Sequence, residues 1–358
     1  MSDHSFQICG PAPPPMLGRA ALMSSLRRKL TKETPDHVQV IGPRFAGKSV
    51  LLQALVREFR APESCYFAAH LWDLAHRSPQ DDDEFMRGLR EQLSMALRPA
   101  DPELADYLKS PSEHPCMQTM EVLDELANGN RRVLLILDGF DKPLSNRELT
   151  RNLWDQLREM ASRPSLCLVT ATRKGMQDLL QNADAKTSDF WSVFNPSPVY
   201  VHCFDAKDME AVLAPLATVS LSQGARAKLM RWTGGFPPLL LMFLNEMINI
   251  GFRKTFEAST IDQLARSKLP PITDILNAVW NDCSEQSKSL YRRIRQRGEV
   301  SLMDVRPCDV DPLVHRGFCV QDDKRVTANC HWVDRMLDHT DGQAHSPRWW
   351  KSAFGFRS

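Results

Sequence analysis

The apolar residues of this chain follow two alternating patterns. Val133-Leu134-Leu135-Ile136-Leu137 and Leu166-Cys167-Leu168-Val169 are unbroken apolar runs of strand length, as expected for strands buried on both faces of a parallel sheet. Shorter runs at 38–41, 65–69 and 198–201 predict three more strands. Between the runs, apolar residues recur at helical spacing. Leu22, Met23, Leu26 and Leu30 form one such set, and Leu51, Leu52, Leu55, Val56 and Phe59 another. Phe85, Met86, Leu89 and Leu93 follow, then 117–127, then Leu149, Leu153, Trp154, Leu157 and Met160. Strands alternating with helices predict an α/β domain, three αβα layers around a mostly parallel sheet.

Beyond Ala206 the periodicity is helical only, over 206–218, 222–232 and 237–250, which predicts a small bundle. Pro270-Pro271 marks a boundary. Residues 274–338 then read as three helices, two short strands around Asp322-Asp323 and a last helix, the order of a winged helix. The expected organisation is a proline-rich arm over 1–15, an α/β core over 16–203, and a helical lid over 204–272. A winged helix over 273–340 and an aromatic, basic tail over 341–358 complete it.

Composition narrows the class only a little. The 358 residues carry a net charge of +1, so the whole-chain balance demands neither nucleic acid nor an anionic membrane. Nine cysteines without a repeated short spacing read as reduced thiols of a cytoplasmic protein. The longest apolar run, 239–244, is far too short to span a bilayer.

The chemistry concentrates at Gly42-Pro43-Arg44-Phe45-Ala46-Gly47-Lys48-Ser49, which reads G-x-x-x-x-G-K-[ST]. The predicted strand before it and the predicted helix after it, starting with Val50, are the context this phosphate-binding loop requires. Loop N–H groups and the helix N-terminus would converge on a polyphosphate. Lys48 would reach the β- and γ-phosphates, and the Ser49 hydroxyl would bind Mg²⁺. Asp138, at the carboxyl end of the 133–137 run, is placed to hold the same metal ion. Gly139 follows it, where many related ATPases carry a water-aligning glutamate. Asp141 is the nearest substitute, so hydrolysis is expected to be slow. Thr172-Arg173 ends the fourth predicted strand, where a guanidinium could contact the γ-phosphate.

Taken together, these stretches resemble STAND-type NTPases and the archaeal-type branch of the AAA+ superfamily. Leu17-Gly18-Arg19 is similar to the hydrophobic-Gly-Arg stretch that contacts adenine in such proteins. Asp138-Gly139-Phe140-Asp141 is similar to the D-G-h-D form of NACHT-like members, and Thr172-Arg173 to the T-[ST]-R sensor. Thr233-Gly234-Gly235-Phe236-Pro237 matches the G-G-h-P lid signature, whose proline (here Pro237) packs near the base. The segment 188–194, Ser-Asp-Phe-Trp-Ser-Val-Phe, lacks the arginine that many AAA+ relatives present to a neighbouring subunit.

The resemblance implies an ATP- and Mg²⁺-dependent, slowly hydrolysing switch. It would alternate between ATP and ADP forms and act through a partner or effector protein, as a monomer or a homo-oligomer, in prokaryotic defence or stress signalling. The alternatives are a duplex-DNA-binding AAA+ ATPase of the origin-recognition or transposition type, and a scaffold that binds nucleotide without turnover. Asp309, Asp311 and Pro312 in the segment that would enter the major groove weigh against the former. Arg292, Arg293, Arg295, Arg297, Lys324 and Arg325 are the remaining basic candidates. The tail around Trp349 and Trp350 reads as a protein contact.

Overall fold

A computed structural model describes residues 6–8, 14–216, 219–250, 254–267 and 273–342. Most of the expected arm, the Pro270-Pro271 boundary and the aromatic tail lie outside these residues. The chain forms two compact units, Met1–Ala217 and Thr218–Ser358.

In the first unit α1 (Ala20–Leu30) leads to β1 (Val38–Ile41), and α2 (Lys48–Phe59) leads to β2 (Ala68–Asp73). Three helices follow: α3 (Asp82–Leu97), α4 (Pro102–Lys109) and α5 (Pro115–Asn128). Then come β3 (Val133–Asp138), the single turn α6 (Asp141–Leu144) and α7 (Arg151–Ala161). The unit closes with β4 (Leu166–Thr172), the turn α8 (Met176–Leu179), β5 (Val199–Tyr200) and α9 (Ala206–Leu213). The five strands form one parallel sheet in the order β2-β3-β4-β1-β5. β2 begins three residues later than its apolar run suggested. Its register is set by β3, Ala68 pairing with Val133, and this carries the strand on to Asp73 opposite Asp138.

Successive residues of a strand face opposite sides, so the sheet feeds two cores. Val38, Val40, Leu134 and Ile136 pack with Leu26, Leu52 and Leu55 of α1 and α2. Leu135, Leu137 and Leu168 pack on the other side with Phe85, Leu123 and Trp154 of α3, α5 and α7. Trp154 is wholly buried, stacked on Phe190 at 5.9 Å and edge-on to Phe140 at 6.0 Å. Segment 188–194 is therefore an anchor of this core, fixed further by Ser188 Oγ donating to Asp155 at 2.6 Å. The acidic stretch 81–84 caps α3: Asp81 accepts the Glu84 N–H, and Glu84 accepts the Gln80 N–H.

The second unit contains β6 (Val219–Leu221), α10 (Gln223–Thr233), α11 (Pro237–Ile250), β7 (Lys254–Phe256) and α12 (Ala258–Ser267). It continues through α13 (Thr273–Asn281), α14 (Glu285–Arg297), β8 (Glu299–Ser301) and α15 (Pro307–His315). β9 (Cys319–Gln321), β10 (Arg325–Ala328) and α16 (His331–Gly342) complete it. β6 and β7 pair in parallel inside the stretch predicted to be helical throughout. Strands of three residues are too short to impose a period-2 pattern against the helices around them. β8 was hidden for the same reason, and it completes an antiparallel sheet in the order β8-β10-β9. Gly234 ends α10 at φ +62°, against the Gly317 carbonyl, where a side chain would not fit. Pro237 opens α11 and Phe236 is buried beside it.

Candidate nucleotide site

β1 ends at Ile41, and the chain turns through residues 42–47 into α2. The Gly42 N–H donates to the Thr172 carbonyl at 3.1 Å, stitching the loop to β4. A Cβ on Gly42 would sit 2.5 Å from the Val201 carbonyl oxygen, so only glycine fits. Gly47 caps α2 at φ +92°, a conformation glycine adopts without strain. Arg44 and Phe45 are exposed on the loop, Phe45 also at positive φ, while Pro43 and Ala46 are buried. The first N–H groups of α2, from Lys48 through Val50, have no acceptor within the helix and carry its positive dipole end. Together these features make a cradle for an anion.

Lys48 Nζ donates to the carbonyls of Gly42 at 2.8 Å and Pro43 at 3.0 Å, so its charge lies against the loop. The Ser49 side chain lies beside the Asp138 carboxylate. Burial pushes the Asp138 carboxyl above the usual carboxylate range and nearby Asp73 adds to this, while Ser49 and Lys48 pull the other way. A buried, under-compensated carboxylate beside a hydroxyl is a donor pair that suits a hard divalent cation. The residues present thus fit a magnesium-bound polyphosphate, with Ser49 and Asp138 as the metal donors and the 42–49 loop as the phosphate donors.

Asp141 and Arg173 meet at the same edge of the sheet. Asp141 is buried, and its Oδ1 accepts the Arg173 main-chain N–H at 2.9 Å and Nε at 3.2 Å. The carboxylate expected to align a water is engaged with the arginine expected to contact the γ-phosphate. Gly139 stands between Asp138 and Asp141 at φ +70°, and a Cβ there would lie 2.6 Å from both the N and Cβ of Ala75.

The Gly18-Arg19 stretch serves the loop from outside. Gly18 and Arg19 both have positive φ, and Arg19 caps α1. The buried Arg19 side chain donates to the Ala46 carbonyl at 3.0 Å and pairs with Asp208 of α9 at 3.2 Å. Its guanidinium lies 4.5 Å above the Phe204 ring. Burial lowers its pKa while Asp208 opposes that effect. Pro237 belongs to the second unit. Asp73, Phe204 and Asp208 escaped the sequence reading, since no motif marks them. Only the Asp at the end of an apolar run, the signal that found Asp138, hints at Asp73.

A five-stranded parallel sheet in this order, with the loop after β1 and the acid at the end of β3, the two strands flanking the central β4, defines a P-loop NTPase fold. Residues 36–194 match the NACHT domain family. Among solved structures it is similar to the ORC2 protein of Aeropyrum pernix, described as ADPNP–ADP complexes. That match has 14% identity and a TM-score of 0.52, covering 92% of this chain and 96% of that one. It is also similar to a Walker-type ATPase of Pyrococcus abyssi, at 15% identity and a TM-score of 0.49, covering 90% of this chain and 96% of that one. No curated protein matches the sequence. Among the described residues no helix is long and apolar enough to cross a membrane.

Proposed function

We propose that the protein is an ATP-binding, slowly hydrolysing molecular switch of the STAND and AAA+ kind, acting in the cytoplasm through a partner protein in prokaryotic defence or stress signalling. The observation that carries the nucleotide reading is the placement of Ser49 beside the Asp138 carboxylate at the mouth of the glycine-built loop. The loop N–H groups and Lys48 hold the phosphates. Ser49 and Asp138 hold Mg²⁺, which when bound would neutralise charge on the β- and γ-oxygens. Arg173, steadied by Asp141, faces charge developing on the γ-phosphate. The helices 206–267 act as the lid and α13 to α16 as the winged helix, a reading supported by the order helix, helix, strand, helix, strand, strand. Glycine at 139 and the absence of an arginine in 188–194 favour a two-state ligand response over rapid turnover.

A second reading, duplex-DNA binding, is favoured by that same winged-helix order. The local charges weigh against it. Arg325 pairs with Glu299 at 2.7 Å, Arg295 with Asp334 at 2.9 Å and Asp338 at 2.6 Å, and Arg306 with Asp309 at 2.9 Å. These cations are already partnered within the unit. Calorimetric titration with ATP, with and without Mg²⁺, followed by phosphate release, tests the nucleotide reading; no binding at millimolar ATP would end it. Filter binding to duplex DNA at two salt concentrations separates the readings, because tight, salt-sensitive, ATP-dependent retention belongs only to the second.

A further inference from the structure

We infer that Asp73, at the end of β2, is the carboxylate that orients the attacking water, in place of residue 139 or Asp141. The inference rests on the nucleotide-hydrolysing reading above. Three observations lead to it.

First, the usual position is sterically closed. A side chain on Gly139 would collide with the backbone and Cβ of Ala75, so the 73–76 turn occupies the space a glutamate would need. Second, Asp141 is shielded: its Oδ1 takes two hydrogen bonds from Arg173, and its side chain is only 12% exposed, leaving little access for a water. Third, the turn that excludes a residue-139 side chain brings a carboxylate of its own. Asp73 pairs in register with Asp138 across β2 and β3. Register partners in a parallel sheet face the same side. Leu134 and Ile136, which alternate with Asp138, and Ala69 and Leu71, which alternate with Asp73, all join the core of α1 and α2. Both aspartates therefore face the layer of the P-loop helix from paired positions on adjacent strands.

The Asp73 carboxylate is held in place. Oδ1 accepts the N–H groups of Ala75 at 3.0 Å and His76 at 3.3 Å, and Oδ2 meets His76 Nδ1 at 2.6 Å. The side chain is nonetheless 46% exposed, so a water can reach its remaining lone pairs. A fixed, solvent-accessible acceptor beside the metal carboxylate is what alignment of a water on a γ-phosphate requires.

The test compares Asp73→Asn with Asp141→Asn in the full-length protein, reading ATP affinity by calorimetry, phosphate release, and the fraction of bound nucleotide recovered as ATP after one hour. The expected result for Asp73→Asn is ATP affinity within about twofold of wild type, phosphate release slowed about tenfold or more, and bound nucleotide recovered as ATP. Asp73→Ser keeps an oxygen to cap the turn and should behave alike if the asparagine variant fails to fold. Wild-type phosphate release from a folded Asp73 variant overturns the inference, as does trapping of ATP by Asp141→Asn alone. Wild-type protein that binds ATP and returns all of it unhydrolysed would overturn the hydrolysis reading itself, a separable outcome.

Discussion

Arg173 and Asp141, thirty-two residues apart, meet through a main-chain N–H at 2.9 Å and a guanidinium Nε at 3.2 Å on one carboxylate oxygen. The main-chain bond fixes where the arginine leaves the sheet, and the side-chain bond fixes where its head points. Both side chains are largely withdrawn from solvent, so screening is modest. A double-mutant cycle on Asp141→Ala and Arg173→Ala should give a coupling of about 1–2 kcal/mol in urea denaturation. A coupling near zero would show that the pair does not act as a unit.

Lys48 contributes a charge to the loop mouth and at least two charge-assisted hydrogen bonds. Lys48→Ala should weaken ATP binding by roughly 2–3 kcal/mol, near a hundredfold in Kd, and should also lower the melting temperature without nucleotide, because the Gly42 and Pro43 carbonyls lose their donor. Titration calorimetry reads the first and scanning fluorimetry the second. Unchanged affinity would remove the phosphate-cradle assignment.

Gly139 has both a left-handed backbone and a neighbour in the way. Gly139→Ala should destabilise the first unit by about 1–3 kcal/mol, through strain and displacement of the 73–76 turn. The urea midpoint measures this. A neutral substitution would mean the turn gives way at no cost, and position 139 would be open after all.

His37 supplies a pH dependence with a definite sign. Its Nδ1 accepts the Leu168 N–H at 2.9 Å, so its Nε2 carries the proton and donates to the Ala161 carbonyl at 2.8 Å. Burial holds its pKa below the ordinary value. Below the unfolded value of about 6.5 the unfolded chain takes up a proton that the folded ring refuses. This stability is present above that pH and is lost as pH falls from it toward the lower folded-state value. Urea midpoints at pH 7.5 and 5.5 should show the drop in wild type and a smaller one in His37→Gln.

Much of the nucleotide core could be read ahead of the structure. The buried strands β3 and β4 are continuous apolar runs, and Gly42–Ser49 and Asp138 announce themselves by local spacing. The rest depends on contacts between distant segments, which leave no periodic trace. Nothing near Asp208 shows that it will hold Arg19, 189 residues earlier. The D-G-F-D spacing made Asp141 a candidate for water alignment but could not reveal that Arg173 would claim its carboxylate. The end of β2 depended on register with β3, so Asp73 became visible only once the strands were paired. The three-residue strands β6, β7 and β8 are too brief to carry a pattern at all.

The hold that Arg19 exerts on Ala46 has a consequence for the order of events during synthesis. Its guanidinium is buried, and without Asp208 it would be an uncompensated charge in a closed space. The phosphate loop emerges from the ribosome early, yet its outer brace cannot lock until α9 has also emerged. Nascent chains cut off before Phe204 should therefore hold nucleotide poorly even though every residue of the glycine loop is already present, and ribosome-bound chains stalled on either side of Asp208 would show the step.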